Sequence, residues 1–128
     1  MQKIIENSFD NQVKDLQELI RIPSVSRGEP REGMPYGENV YNALRKAQEI
    51  ARKLGFENVW DVEARCGVVE YGEGDELVAV MAHLDVVPEG TGWTYPPTAP
   101  RSTTGLCTAG ARRTTRVRQC PPSTPSTP

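Results

Sequence analysis

The sequence predicts an α/β fold, and only the opening part of one. Three observations carry this reading. Two amphipathic helical stripes come first; an apolar run at 77–82 then reads as a strand buried on both faces; and nothing after residue 97 supplies an apolar period of 3.6 or 2. A sheet covered on both faces needs further crossover helices. The expected layout is therefore two helices and three strands, the N-terminal part of a larger domain, followed by a tail of another composition.

In the first segment Ile4, Ile5, Phe9, Val13, Leu16, Leu19 and Ile20 recur at the spacing of one helix face. Pro23 ends that helix, Pro23-Ser24-Val25-Ser26 reads as the turn that closes it, and the Gly, Pro and charge of residues 27–37 read as an exposed loop. A second helix is expected from Glu38 to Leu54, with Val40, Leu44, Ala47, Ile50, Ala51 and Leu54 on its apolar face. Gly55 is its expected cap, because glycine enters the left-handed region without a Cβ clash. Asn58 to Val62 and Gly67 to Tyr71 read as short strands, Gly72 to Glu76 as a turn, and Leu77 to Ala82 as the buried strand. Cys66 reads as a small buried apolar residue and Trp93 as a packing anchor.

Composition narrows the function classes. The 128 residues, 37% hydrophobic, suffice for one core and not for two. A net charge of −2 gives no whole-chain case for nucleic acid or an anionic membrane. That average conceals a division at residue 97. Residues 1–97 hold 10 of the 15 Lys and Arg and all 17 Asp and Glu, whereas residues 98–128 hold five arginines and no acid. The polar, acidic N-terminus lacks the apolar core of a secretory signal, and no apolar run reaches the roughly 18 residues of a membrane span. Three cysteines without close pairing suit a reducing compartment. The expected location is the cytoplasm.

The single histidine, His83, follows the apolar run, and Asp85 lies two residues on. In open α/β sheets ligands bind beyond the carboxyl ends of strands, and side chains two apart on a strand share a face. A neutral imidazole is a strong zinc ligand whose ring a carboxylate can orient through the other N–H. A histidine hydrogen-bonded to a neighbour for structural reasons satisfies the same residues, and zinc needs three or four protein ligands in most sites.

The run CGVVEYGEGDELVAVMAHLDVVPEGTGW, with LQELIRIPSVS upstream and YNALRKAQEIARKLGFENV between, resembles the N-terminal part of bacterial dipeptidases of the dipeptidase V type. These belong to the co-catalytic zinc exopeptidases and deacylases that include carnosinase, acetylornithine deacetylase and succinyl-diaminopimelate desuccinylase. The resemblance covers roughly Leu16 to Pro97, with HLDVVP and the following Gly92-Trp93 as its specific part. It implies the N-terminal part of a zinc-exopeptidase catalytic domain in residues 1–97, a dipeptide or short-peptide substrate, and zinc as cofactor. It implies that His83 ligates one ion of a zinc pair and that Asp85 is the carboxylate orienting it. In such enzymes a bridging aspartate and water join the two ions, and a glutamate acts as general base.

Past Pro97 the resemblance stops. The family continues with a segment like YGRGxxDDKGP carrying the bridging aspartate; this chain reads TAPRSTTGLCTAGARRTTRVRQCPPSTPSTP, with no acid. Regrouping its codons with one base restored near Pro96-Pro97 permits YGAEIHDG, then YGRG, then DDKGPAM across Arg113 to Cys120. Residues 98–128 therefore read as an out-of-frame, disordered tail, and the chain as an inactive fragment lacking most ligands and the general base. Two other readings use the same residues. Cys66, His83, Cys107 and Cys120 have the types of a structural zinc module without its C-x2-C spacing, and Arg112, Arg113, Arg116 and Arg118 form a basic cluster that could meet phosphates.

Overall fold

The computed structural model describes residues 2–26, 28–93, 96–103 and 106–108, with side chains from 9 to 26, 28 to 93 and 96 to 100. They form a small mixed α/β arrangement: helix α1 (Gln2–Ile20), helix α2 (Glu38–Lys53), strands β1 (Asn58–Val62) and β2 (Cys66–Glu70), and a second strand pair, β3 (Arg101–Thr103) and β4 (Leu106–Thr108). Two compact units result, one of residues 1–21 with 89–128, the other Ile22–Pro88.

In the first unit α1 ends at Ile20, three residues before Pro23, as the proline requires. Its described stripe is half covered: Val13, Leu16, Leu19 and Ile20 are half-buried and Phe9 is exposed. Trp93 is also largely exposed; its indole N–H donates to the Glu89 carbonyl at 2.8 Å, so it closes a local turn and does not anchor a core. The tail was expected to lack structure throughout, yet β3 and β4 pair antiparallel, Arg101 opposite Thr108 and Thr103 opposite Leu106. Threonine suits such a ladder through its branched Cβ. The remainder of the tail lies outside the described residues.

The second unit is built on α2, which buries Ala43, Leu44, Gln48 and Ala51 against the β1–β2 hairpin. Its C-terminus closes as the sequence predicts. Leu54 is the last near-helical residue, Gly55 takes φ 95°, its N–H donates to Arg52, and the Phe56 N–H reaches back to Ala51 at 3.1 Å. This pair of bonds satisfies two orphan carbonyls of the last turn. Leu54, expected on the apolar face, is exposed instead, since the chain leaves the helix there. Phe56 then meets Tyr71 edge to face with ring centroids 5.8 Å apart, and the Arg52 guanidinium donates to the Val59 carbonyl.

Strands β1 and β2 pair antiparallel from Asn58 opposite Glu70 to Val62 opposite Cys66, so β2 begins one residue before the expected Gly67. The turn between them, Glu63-Ala64-Arg65, places Glu63 and Ala64 at φ 51° and 56°. An L-residue there costs about 1–2 kcal/mol. The Asp61 carboxylate offsets part of it by accepting the Ala64 N–H at 2.9 Å. Cys66, expected buried, is exposed, because α2 covers only part of this two-stranded sheet.

The largest departure concerns Leu77 to Ala82. The sequence predicts a buried strand; the segment forms no strand, and Leu77, Val78, Val80 and Met81 are 85–92% exposed. A strand is defined by its neighbours, and no further strand of the described residues stands beside this one. The apolar residues predicted its burial; the described residues do not provide the layers that would bury it.

Candidate functional site

The second unit carries His83 and Asp85, and the geometry that fixes them begins at Ser24. Pro23 stands in a tight turn, with the Ser24 N–H donating to the Ile22 carbonyl at 2.8 Å, and the residues after it pair with the stretch after His83: Val25 and Val86 form an isolated parallel bridge. The Val86 N–H donates to the Ser24 carbonyl at 2.9 Å and the Ser26 N–H to the Val86 carbonyl at 3.3 Å. The Ser24 side chain completes the clamp. Ser24 is 4% exposed, and its hydroxyl donates to the Leu84 carbonyl at 2.8 Å. Leu84 is thereby held between the two candidate site residues.

His83 Nδ1 lies 2.9 Å from the backbone carbonyl of Asp85 and 3.3 Å from its Oδ1. A carbonyl oxygen only accepts, so this contact requires the proton on Nδ1. In the neutral ring that leaves Nε2 with a bare lone pair. The imidazole is exposed, and no other described group bonds it. The expected orienting contact thus involves the carbonyl of Asp85 first and its carboxylate second.

Beside the pair lies a cleft of about 560 Å³, bordered by His83 and Asp85 on one side and by Leu44, Gln48, Tyr36 and Arg65 on the other. Gln48 is buried, with Nε2 unpartnered and Oε1 accepting from Arg45 at 3.3 Å. The Arg65 guanidinium sits 5.8 Å from the centre of the Tyr36 ring.

The donor chemistry fits one position of a zinc site: a neutral imidazole with Nε2 free and its other nitrogen held by an acceptor is how ligating histidines are presented. It does not supply a complete site. Among the described residues no three of His, Cys, Asp and Glu converge to hold a metal ion. Of the four residues of the alternative zinc module, Cys66 stands on β2, the Cys107 side chain and Cys120 lie outside the described residues, and only His83 borders the cleft together with Cys66. The arginines at 112, 113, 116 and 118 also lie outside them.

Sequence reasoning missed Ser24 and Gln48. Ser24 had a signal in retrospect: Ser-Val-Ser after a proline alternates polar with β-branched, as a strand at a sheet edge does. Gln48 falls one residue after Ala47 on an expected apolar face, and nothing local marks it.

The described residues present one oriented histidine beside a cleft on a small mixed α/β piece, and comparison with known proteins says what the chain is similar to. The chain is 40% identical over 86 residues to "Putative dipeptidase YtjP" of Bacillus subtilis, a match covering 66% of this chain and 18% of that protein. It is 35% identical over 96 residues to the Beta-Ala-Xaa dipeptidase of Lactobacillus delbrueckii subsp. lactis, covering 74% of this chain and 20% of the relative. No protein-family model matches the chain. The chain carries a fragment of a bacterial dipeptidase-family sequence, and it spans about a fifth of the length of the curated relatives it matches. No helix among the described residues is long and apolar enough to cross a membrane.

Proposed function

We propose that this chain carries the first metal-ligand element of a zinc-dependent, cytoplasmic dipeptide hydrolase. His83 Nε2 is the ligand and Asp85 the group that fixes the ring. The observation that carries this reading is the 2.9 Å contact of His83 Nδ1 with Asp85, which commits the free nitrogen to Nε2, in a stretch similar to proteins named as dipeptidases. Ser24 supports the pair from behind by holding the Leu84 carbonyl. Zinc bound in such a site polarises the scissile carbonyl and supplies hydroxide at neutral pH. The residues of this chain contribute one nitrogen and its orientation.

On this reading the chain alone does not turn over dipeptides, because a zinc site needs three protein ligands and the general base besides. Residues 98–128 are the out-of-frame remainder of a dipeptidase gene. The test is hydrolysis of a panel of dipeptides by the purified chain with added zinc. No turnover above buffer is expected. Turnover that His83→Ala abolishes would overturn the inactivity and leave the ligand assignment standing; turnover indifferent to His83→Ala would overturn both.

A further inference from the structure

A parallel ladder through Val25 and Val86 would run on with the Ser24 N–H donating to the Leu84 carbonyl. That N–H is instead turned onto the Ile22 carbonyl, at 2.8 Å, in the turn around Pro23. The Ser24 hydroxyl takes its place on the Leu84 carbonyl. The break in the ladder therefore falls between His83 and Asp85, and one side chain closes it.

Ser24 also holds the chain on the far side of Asp85, where its carbonyl accepts the Val86 N–H at 2.9 Å. A trans peptide is planar with its N–H and C=O opposed, and no cis peptide occurs among the described residues. A Val86 N–H turned toward Ser24 thus sends the Asp85 carbonyl the other way, where His83 Nδ1 meets it at 2.9 Å. Two oxygens of one serine fix the peptide planes on either side of Asp85: Oγ the plane shared with Leu84, the carbonyl oxygen the plane shared with Val86. The His83 and Asp85 side chains are 61% and 42% exposed, so little packing holds the ring and these bonds set its approach.

We infer that Ser24 is a positioning residue for His83: its hydroxyl, acting through the Leu84 carbonyl, sets which ring nitrogen carries the proton and leaves Nε2 bare. Alanine at 24 cannot donate, and the amide N–H is already used, so the plane linking the ring to its acceptor would be released. The consequence for zinc rests on the ligand role proposed above; the coupling of serine to imidazole does not.

The test is ¹⁵N spectroscopy of the metal-free full chain, labelled at its single histidine, at a pH where the ring is neutral. The wild-type chain is expected to hold the Nδ1–H tautomer as its major form. Ser24→Ala is expected to lose that majority, and Ser24→Thr, which keeps a hydroxyl, to retain it. Asp61→Ala removes a hydrogen bond of the same unit in the β1–β2 turn, and is expected to leave the tautomer as in the wild type. Where circular dichroism shows that Ser24→Ala does not fold, Ser24→Cys replaces it; a thiol is a weak donor, so a smaller movement in the same direction is expected. Wild-type nitrogen shifts in the folded Ala or Cys variant, an equal change in Asp61→Ala, or loss of Nδ1–H in a folded Ser24→Thr would each overturn the inference. No arm contains zinc, so the ligand role of His83 stands or falls by the separate hydrolysis measurements.

Discussion

The hydroxyl of Ser24 donates a 2.8 Å hydrogen bond to the carbonyl of Leu84, 60 residues further along the chain. With the backbone bridge of Val25 and Val86 it fixes the stretch on which His83 and Asp85 stand. Removing one partner of a buried bond costs about 1–3 kcal/mol. Ser24→Ala is therefore expected to destabilise the second unit by that amount and to speed amide hydrogen exchange at Val86, whose N–H is bound to Ser24. Unchanged exchange at Val86 would mean that the serine does not hold the two stretches together.

His83 is the only histidine, so its ring nitrogens can be read without assignment ambiguity. The contact of Nδ1 with the Asp85 carbonyl predicts the Nδ1–H tautomer in the neutral ring. A ¹⁵N spectrum of the selectively labelled chain should show it, whereas a dominant Nε2–H tautomer would contradict the orientation described.

Gly67 faces α2 so closely that a Cβ there would meet Leu44 Cδ1 at 2.7 Å. Leu44 is buried, but the clash falls on the end of its side chain, which borders the cleft and can turn toward it. Gly67→Ala is expected to cost about 1 kcal/mol by overpacking, measured by urea denaturation. Pairing it with Leu44→Val should recover part of the loss, and a double variant no better than the single one would argue against the contact.

The β1–β2 turn gives a prediction of opposite sign. Ala64 holds φ 56°, which glycine adopts without the Cβ clash. Relief of about 1–2 kcal/mol, offset by the roughly 0.5–1 kcal/mol entropic cost of glycine, leaves Ala64→Gly stabilising by up to about 1.5 kcal/mol. A lower melting temperature for that variant would show that the turn is not strained.

How far the sequence reveals this molecule follows from the range of each interaction. The helices and the Gly55 cap are local: periodicity and one glycine state them, and the structure has them within a residue or two. The hairpin is legible as strands but not as a turn, since Glu63 and Ala64 enter the left-handed region with no Gly or Asn to announce it. Leu77 to Ala82 was misread because burial belongs to the neighbours of a strand, and its own composition says only what it would do if they were present. His83 and Asp85 were found as a pair because they are two apart; Ser24, 60 residues from its acceptor, is invisible to any local rule. The β3–β4 pair was missed because a tail rich in Thr, Arg and Pro with no apolar alternation carries no strand signal.

The nucleotide sequence tests the proposal about the tail. One added base at the Pro97–Thr98 junction should restore a frame encoding YGRG and DDKGPAM. A junction that no single base repairs would remove the frameshift reading and leave residues 98–128 as a genuine coding segment.

The ligand role of His83 is tested most directly by transplantation. The stretch of the Bacillus subtilis relative that matches this chain would be replaced by the corresponding residues of this chain, and zinc-dependent dipeptide hydrolysis measured with and without His83→Ala. The account predicts a zinc-dependent hydrolase whose kcat/KM falls by at least about 100-fold on that substitution, since loss of a metal ligand exceeds the roughly 10–100-fold effect of losing a group that merely orients one. An active chimera that hydrolyses dipeptides equally well without the imidazole would contradict it.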